Sequence, residues 1–354
     1  MEKNKTIIIT GGCGFIGTNA AEYYFKKGFK VIVFDNLSRV GAKENLKYLK
    51  TKKGIVFIKG DIRDNKKLES TFKKYKPDYV LHLAAQVTMV TSVQKPREDF
   101  EVNALGTFNV LEALRKEAPE AALLYTSTNK VYGEMTDLET IEKEKRYEYK
   151  DIKGISEERH IDPHGPYGCS KYTGDEYAID WARIYGLKTV VFRQSGIYGP
   201  HQFGIEEQGW LAWFINAMLF DKPVTIYGDG KQVRDVLYID DVLEAYDAAL
   251  TNIKETRGKA FNIGGGSEYS LSIWELFEIL EKLTDKKLKY SFGDWRPGDQ
   301  KAYISDITKA KNNFNWSPKV SPKEGVEKLY KWIAENKQAV LKAGVFPEKY
   351  PIVK

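Results

Sequence analysis

A tyrosine and a lysine four positions apart have the side chains and the spacing for acid–base chemistry on an alcohol. Tyr167 and Lys171 follow Pro166, which favours a helix start, so both side chains are expected on one helix face. Thr128 comes directly after an apolar run, Ala122 to Ser127. A tyrosinate removes an alcohol proton if its pKa falls well below about 10, and a lysine ammonium shifts it that way. With Thr128 holding the reacting oxygen, the three residues predict oxidation of a carbinol carbon.

A glycine-rich turn near the N-terminus is a candidate binding site for the cofactor that accepts electrons in such an oxidation. Gly11, Gly14 and Gly17 follow an apolar run that ends at Thr10, with the spacing of a dinucleotide-binding turn. The first glycine allows a tight turn, the second lets a pyrophosphate approach the helix N-terminus, and the third lets that helix pack closely. Asp35 comes 18 residues after Gly17, near the separation of about 20 expected for a ribose-binding carboxylate. A strand-to-helix turn or a solvated Tyr–Lys pair explains each feature alone, but together they favour a nicotinamide dinucleotide site.

Beyond Asp35, apolar runs alternate with charged amphipathic segments, which predicts a parallel sheet covered by helices on both faces. Strands are expected at 54–59, 79–83, 122–127 and 189–193, and helices at 65–76, 100–116, 167–185, 208–220, 241–250, 271–284 and 322–336. The stretch 133–162 lacks periodicity and is expected to be an exposed loop.

The predicted fold class is therefore α/β, a Rossmann-type doubly wound parallel sheet with a smaller, interleaved α/β substrate lobe. Residues 1–195 are expected to form the nucleotide-binding domain, with returns to it from about 230 to 265. Residues 196–230 and 266–343 are assigned to the lobe, and residues 344–354 to a C-terminal tail on the surface.

Composition limits the classes of function. The 354 residues are 42% hydrophobic and 29% charged, as expected of a globular enzyme. No apolar run reaches the length of a membrane span, and the sequence Met1-Glu2-Lys3 runs straight into a strand, so we expect a cytoplasmic protein without membrane association. The net charge of +6 comes from lysines mixed with acids along helices, which favours solvated faces, and nucleic-acid binding is the weaker alternative.

Neither a metal site nor a disulfide is expected. The two cysteines, Cys13 and Cys169, lie in the turn and helix already assigned to chemistry, which argues against a disulfide. The four histidines have no ligand spacing with them.

These motifs together resemble the extended short-chain dehydrogenase/reductase family, the NAD-dependent nucleotide-sugar epimerases and dehydratases. The resemblance lies in Thr10 to Gly17, Asp35 to Ser38, Gly60 to Arg63, Leu83 to Gln86, Asn103, Val131 to Gly133, Tyr167 to Lys171, and Arg234 to Val236. It implies tightly bound NAD and a catalytic role for Thr128, Tyr167 and Lys171. The cofactor-binding residues implied are Gly11, Gly14, Phe15, Ile16, Gly17, Asp35, Asn36, Ser38, Asp61, Ile62, Leu83, Ala84, Ala85, Gln86, Asn103, Ser127, Tyr167 and Lys171.

Within that family, a further set of motifs resembles the 2-epimerases of CDP-activated sugars such as CDP-paratose. They are Ser127 to Gly133, Gly168 to Lys171, Gln202-Phe203, Gln208 to Trp210, Gly230 to Leu237, and Asp299-Gln300. The resemblance implies epimerisation of a CDP-hexose at C2 through a keto intermediate, with NAD regenerated in each turnover. The implied substrate-binding residues are Thr128, Asn129, Gln208, Trp210, Arg234 and Arg296. The two arginines offer bidentate donors to phosphate. For Trp210, the alternative is a position in the core of the lobe.

Four residues depart from the family pattern. Asn129 and Lys130 stand where 4,6-dehydratases carry an Asp-Glu pair, which disfavours elimination of water. Gly196 replaces an Asn that contacts the substrate pyrophosphate in many relatives, and Gly165 replaces a Ser or Thr. Arg39 is a candidate for a 2′-phosphate, but Asp35 would repel one, so NAD is expected.

Two alternative functions remain: a UDP-sugar 4-epimerase, and a non-catalytic NAD-binding sensor, which is disfavoured because Tyr167 and Lys171 are both present. The resemblance also implies a homodimer or homotetramer that pairs through the helices at 100–116 and 167–185.

Overall fold

A computed structural model describes residues 5–296 and 299–346, and its strands and helices follow in chain order. The strands are β1 (Thr6–Thr10), β2 (Lys30–Asp35), β3 (Val56–Lys59), β4 (Tyr79–His82), β5 (Ala122–Thr128), β6 (Thr140–Glu142), β7 (Tyr147–Tyr149), β8 (Lys188–Gln194), β9 (Gly196–Tyr198), β10 (Val224–Tyr227), β11 (Val233–Tyr238), β12 (Ala260–Ile263), β13 (Ser270–Ser272), β14 (Tyr290–Gly293) and β15 (Ala302–Tyr303).

The helices are α1 (Phe15–Lys26), α2 (Ala42–Lys50), α3 (Asn65–Tyr75), α4 (Met89–Gln94), α5 (Pro96–Phe100), α6 (Gly106–Glu117), α7 (Gly165–Ile184), α8 (Trp210–Leu219), α9 (Ile239–Thr251), α10 (Ile253–Thr256), α11 (Ile273–Thr284), α12 (Thr308–Phe314), α13 (Pro322–Glu335) and α14 (Lys337–Ala343). A π-helical turn, Glu101–Leu105, joins α5 to α6, and a 3₁₀ turn, Asn129–Tyr132, follows β5.

Seven parallel strands form the main sheet, in the order β12-β8-β5-β4-β1-β2-β3. The apolar run of β1 pairs with β2 on one side, Ile8 opposite Ile32, and with β4 on the other, Ile8 opposite Val80. All three side chains are fully buried, as expected where helices cover both faces of a parallel sheet. The strand order reverses between β1 and β4, and ligands of open α/β sheets bind outside the carboxyl ends of the strands at such a point. The predicted Rossmann-type doubly wound fold is confirmed.

Helix α7 lies unusually close to the main sheet. Gly174 makes this possible, because a Cβ at that position would lie 2.6 Å from the Tyr125 hydroxyl oxygen of β5. The backbone of the helix is tied to the strand by a hydrogen bond from the Tyr125 hydroxyl to Lys171 O, 3.1 Å long. This contact brings the N-terminal turns of α7 next to the carboxyl end of β5.

The remaining strands form smaller sheets beside this edge. Strand β11 pairs with β9 and β15 in parallel and with β13 antiparallel, and β10 pairs with β14 in parallel. The predicted residue ranges of the domain and the lobe stay a prediction. Residues 347–354 of the predicted C-terminal tail lie outside the described residues.

Two sequence-based expectations about elements were incomplete. The segment 133–162 contains the antiparallel pair β6–β7, whose three-residue strands are too short to show an alternating pattern. The predicted helix at 100–116 begins with the π-helical turn, which places Asn103 outside regular α-helical spacing.

Candidate functional site

The glycine turn after β1 is packed tightly on the protein side and open at one position. A Cβ at Gly11 would lie 2.7 Å from Ala84 N, and one at Gly17 would lie 2.3 Å from Gly11 O. A Cβ at Gly14 would meet only Gly11 O, at 3.1 Å. No side chain caps helix α1, which begins directly after Gly14. Gly14 therefore exposes backbone to a ligand at the positive end of a helix dipole.

Asp35, at the end of β2, holds this turn in place. Its buried carboxylate accepts hydrogen bonds from Cys13 N at 2.9 Å and from Leu37 N at 2.6 Å. Burial raises the pKa of Asp35, and the two backbone donors oppose that shift. In the following loop, Asn36 Nδ2 donates to Asp61 Oδ2 at 2.9 Å, which joins the ends of β2 and β3.

The other predicted cofactor residues lie at the same edge of the sheet. Phe15 and Ile16 begin α1, Ser38 follows β2, Ile62 follows β3, Leu83, Ala84, Ala85 and Gln86 follow β4, Ser127 ends β5, and Asn103 lies in the π-helical turn. The Ser127 hydroxyl is buried and has no hydrogen-bond partner among the described residues. The open backbone at Gly14 and this unpaired hydroxyl fit a dinucleotide laid across the strand ends.

Thr128, Tyr167 and Lys171 come together where β5 meets α7. The Tyr167 hydroxyl lies near the Thr128 hydroxyl, which acts to lower the pKa of Tyr167. Thr128 Oγ1 also accepts a hydrogen bond from Lys130 N at 3.2 Å, so the turn after β5 orients it. Lys171 is buried and donates from Nζ to Thr126 O at 2.5 Å, with its ammonium 4.4 Å from the centre of the Tyr125 ring.

The protein alone does not lower the pKa of Tyr167. Burial raises the pKa of Tyr167 to about 12, and the nearby Thr128 hydroxyl and Arg39 only partly oppose this. Burial lowers the pKa of Lys171 to about 7, opposed by Asp175 and Asp99. Lys171 does not lower the pKa of Tyr167 because its ammonium contacts a backbone carbonyl, Thr126 O, rather than the phenol. A phenolate therefore needs a further positive charge, which an oxidised nicotinamide carries.

A network of buried, hydrogen-bonded polar side chains lies next to these residues. Arg193 of β8 makes two hydrogen bonds to the fully buried carboxylate of Asp175 on α7, at 2.9 and 3.2 Å. Its third contact is the Tyr132 hydroxyl, at 3.2 Å, and that hydroxyl donates to Asn262 Oδ1 of β12 at 2.8 Å. We call these four residues the Arg193 network. It links the catalytic helix, the turn after Thr128 and two strands.

The substrate residues predicted outside the sheet line one cavity between α8, β10 and β11. Gln208, Trp210, Arg234 and Arg296 all belong to its wall. Gly209, Gln232 and Asp299, which lie within motifs quoted above without an assigned role, also line it. Sequence reasoning missed the remaining lining residues, which belong to no quoted motif. They are Glu206, Glu207, Trp213, Phe214, Thr225, Tyr227 and Ile273. Thr128 and Asn129 lie instead at the carboxyl edge of the sheet.

The two cavity arginines are already oriented by neighbours. Arg234 donates from Nη1 to Val233 O and Gln300 O, both at 2.8 Å, and pairs through Nη2 with Asp299. The Arg296 guanidinium lies 3.9 Å from the centre of the Tyr227 ring. These contacts preorganise positive charge for an anionic ligand, while Asp299 neutralises part of it.

Arg39 does not serve the role considered for it from the sequence. Its guanidinium is hydrogen-bonded to the Gln208 side-chain oxygen, so it joins the loop after β2 to the cavity loop. It also lies near Tyr167 and Glu207.

A search of protein-family models matches residues 7–264 to the NAD dependent epimerase/dehydratase family. The chain belongs to this NAD-dependent epimerase/dehydratase family. It is 46% identical over 332 residues to a CDP-paratose 2-epimerase of Salmonella typhi, covering 92% of this chain and 98% of the relative. It is 33% identical to a putative UDP-glucose 4-epimerase of Methanocaldococcus jannaschii, covering 93% and 99% of the two chains. The solved structure of UDP-glucuronic acid 4-epimerase from Bacillus cereus, in complex with UDP-glucuronic acid and NAD, matches with a TM-score of 0.80 and 30% identity, covering 93% of this chain and 99% of that one.

The family membership makes the protein an NAD-dependent nucleotide-sugar epimerase, with NAD as its cofactor. When bound, NAD supplies the acceptor and donor of a hydride. On the protein side, Gly14 and the N-terminus of α1 suit its pyrophosphate, Asp35 suits a ribose, and the Ser127 hydroxyl, unpaired among the described residues, lies next to Thr128.

Two glycines that depart from the epimerase/dehydratase pattern are explained by local geometry. Gly196 lies in β9, where a Cβ would be 2.8 Å from Asp235 O of the neighbouring strand. Gly165, the first residue of α7, has a φ of +72°, which strains any residue with a side chain.

Two absences apply to residues 5–296 and 299–346 of this epimerase. No group of three or more His, Cys, Asp and Glu side chains there is arranged to hold a metal ion. None of the helices there has the length and apolar character needed to cross a membrane.

Proposed function

We propose that this epimerase inverts C2 of a CDP-activated hexose, in the manner of CDP-paratose to CDP-tyvelose, through a 2-keto intermediate. The 46% identity to a CDP-paratose 2-epimerase over nearly the whole chain supports the choice of carbon and nucleotide. CDP-glucose is a second substrate of the same class. The observation that carries the chemistry is the grouping of the Tyr167 and Thr128 hydroxyls with buried Lys171 where β5 meets α7, in a protein whose cavity between α8, β10 and β11 is lined by two arginines.

Tyr167 acts in both halves of this proposed reaction. Its phenolate takes the proton from the C2 hydroxyl while Thr128 holds the same oxygen, and the phenol returns the proton after the keto sugar has presented its other face. Lys171 contributes positive charge below the site. Asn129 and Lys130 offer no carboxylic acid and base pair, so loss of water from the sugar is disfavoured.

The cavity is proposed to hold the nucleotide part of the substrate. Arg234 and Arg296 face a pyrophosphate, and Gln208 and Trp210 border the sugar and base. Lys130 lies near Arg234, and burial with that neighbouring charge lowers the pKa of Lys130 to about 8. This places a further cation between the catalytic end of β5 and the cavity.

A panel of nucleotide sugars tests the substrate. We expect NMR analysis to find products inverted at C2 from CDP-paratose or CDP-glucose and none from UDP-galactose. Tyr167→Phe should abolish turnover, whereas Tyr290→Phe, at an exposed tyrosine, should retain it. Turnover of Tyr167→Phe at the wild-type rate would remove the phenolate from the mechanism. Mass spectrometry of the nucleotide released from denatured protein is expected to find NAD, which tests tight binding.

A UDP-sugar 4-epimerase is the second candidate. The relatives named for UDP-glucose and UDP-glucuronic acid support it, since both match more than nine-tenths of the chain. The same panel separates the two, because this candidate requires conversion of UDP-galactose at C4.

The protein is also proposed to form a homodimer through α6 and α7. The two helices and the turn before them expose large apolar side chains, among them Leu105 at 42%, Tyr177 at 41% and Ile184 at 59%. Clustered apolar exposure of this kind is typical of an oligomer interface. A tetramer would need a second surface.

A further inference from the structure

The mechanism above leaves one buried carboxylate near the catalytic residues unused. Asp99, in the short helix α5, is fully buried and belongs to no motif that the sequence pattern singled out. Its carboxylate accepts three side-chain hydrogen bonds: from Ser170 Oγ at 2.5 Å, from Gln86 Nε2 at 3.1 Å and from Asn103 Nδ2 at 3.1 Å. Burial raises the pKa of Asp99, and the Ser170 and Gln86 hydrogen bonds together with the Lys171 charge oppose that shift.

The donors come from three separate parts of the active site. Ser170 directly precedes Lys171 on helix α7, Gln86 lies in the loop between β4 and α4, and Asn103 lies in the π-helical turn. Two further bonds close the cluster: Asn103 Nδ2 donates to Ser170 Oγ at 3.1 Å, and Gln86 N donates to Asn103 Oδ1 at 2.9 Å. Asp99 is therefore a shared hydrogen-bond acceptor that connects helix α7 to the loop after β4, where predicted cofactor-binding residues lie.

The charge of Asp99 faces the groups that must change protonation. Lys171 and Tyr167 of helix α7 and Tyr125 of β5 lie within range of its charge. Asp99 raises the pKa of both Tyr167 and Lys171. Around Lys171, Asp175 acts in the same direction as Asp99.

His82 of β4 also borders Lys171. It is buried, and its pKa is lowered to about 3 by burial and by the Lys171 charge, so it stays neutral in the range of interest. The negative charges that face Lys171 are thus Asp99 and Asp175.

We propose that Asp99 is a positioning residue, which fixes the catalytic helix against the loop after β4 and supplies a buried negative charge facing Lys171 and Tyr167. It touches neither substrate nor cofactor. Removing the charge lowers the pKa of both titrating groups, so the pH dependence of catalysis moves to lower pH. Removing a hydrogen-bond donor alone loosens the helix without that movement.

The test compares variants of the NAD-loaded protein. Asp99→Asn removes the charge and keeps the shape, Asp99→Ser removes it with a smaller side chain, and Ser170→Ala removes one donor and leaves the charge. Asp221→Asn is the matched control, since Asp221 lies on the surface and pairs with Lys289. The readout is the phenolate absorbance of Tyr167, taken as the difference from a Tyr167→Phe partner in each background.

We expect the phenolate midpoint to fall by about one pH unit in Asp99→Asn and in Asp99→Ser, and to stay in place in Ser170→Ala and Asp221→Asn. The pH profile of epimerase turnover should move in the same direction, while Ser170→Ala lowers turnover at an unchanged optimum. The titration needs no substrate, so it reports even if the proposed sugar is wrong. An unchanged midpoint in the neutral variants would overturn the proposal. The proposal would also be overturned if Asp99→Asn and Asp99→Ser both failed to fold while Asp99→Glu folded, because Asp99 would then act in stability alone.

Discussion

Replacing Gly17 by alanine is expected to cost stability and NAD binding together. The new Cβ would lie 2.3 Å from Gly11 O and 2.6 Å from Gly12 Cα, both backbone atoms held by the turn. Non-bonded carbon atoms pack at about 3.5–4.0 Å, so helix α1 has to move by about 1 Å. Overpacking of this kind costs about 1–3 kcal/mol of unfolding free energy. The displaced helix N-terminus also leaves the pyrophosphate position.

Gly14→Ala is the matched comparison. Gly14 has a φ of −70°, which alanine adopts, and its Cβ would meet only Gly11 O, at 3.1 Å. We expect the stability of NAD-free protein to change by less than about 0.5 kcal/mol. The methyl group would nevertheless occupy the open side of the turn, so NAD affinity should fall about tenfold, equivalent to about 1.4 kcal/mol.

Chemical denaturation of NAD-free protein and calorimetric titration with NAD measure the two effects separately. Full stability in Gly17→Ala together with a large loss in Gly14→Ala would refute the assignment of one glycine to helix packing and the other to ligand approach. Unchanged NAD affinity in both variants would mean that the turn does not bind the dinucleotide.

Three further outcomes are expected. Burial lowers the pKa of Lys171 to about 7, so the unfolded chain binds more protons than the folded one between about pH 7 and 10. The stability of the wild-type protein should therefore rise with pH in that range. Thermal unfolding of Lys171→Met should lack this rise. Asp175→Asn leaves Arg193 buried without its counter-charge and should cost about 3–5 kcal/mol in urea denaturation, whereas Asp247→Asn, in a surface pair, should cost less than about 1 kcal/mol. Ile184→Asp places a charge on the exposed apolar face of α7, and sedimentation should then find monomers instead of the proposed dimer.

Features with a local cause could be predicted from the sequence. The turn from Gly11 to Gly17 and the start of α7 at Gly165 depend on a few neighbouring residues and on helical or strand periodicity. The position of Thr128 at the ligand-binding edge followed because carboxyl ends of parallel strands meet there, and the helical spacing of Tyr167 and Lys171 placed both on one face of α7.

Features that depend on long-range contacts could not be predicted. Nothing near Asp99 in sequence indicates Ser170, which donates to it from 71 positions away. The Lys171 ammonium binds Thr126 O rather than the phenol, since a buried cation needs a nearby hydrogen-bond acceptor. The spacing of residues along a helix does not show which acceptor that is. Arg234 likewise pairs with Asp299, 65 positions further along the chain.

The Arg193 network has a consequence for how the chain becomes active during folding. Its members are separated by many residues: Tyr132 and Asn262 lie 130 positions apart, and Tyr132 and Arg193 lie 61 apart. Contacts of such sequence separation form slowly, because the loops between them must close first. Without β12, the Tyr132 hydroxyl would lack its Asn262 acceptor, while Arg193 would keep Asp175 and Tyr132 as partners. We therefore expect the turn after Thr128 to reach its final packing only when the seventh strand joins the sheet.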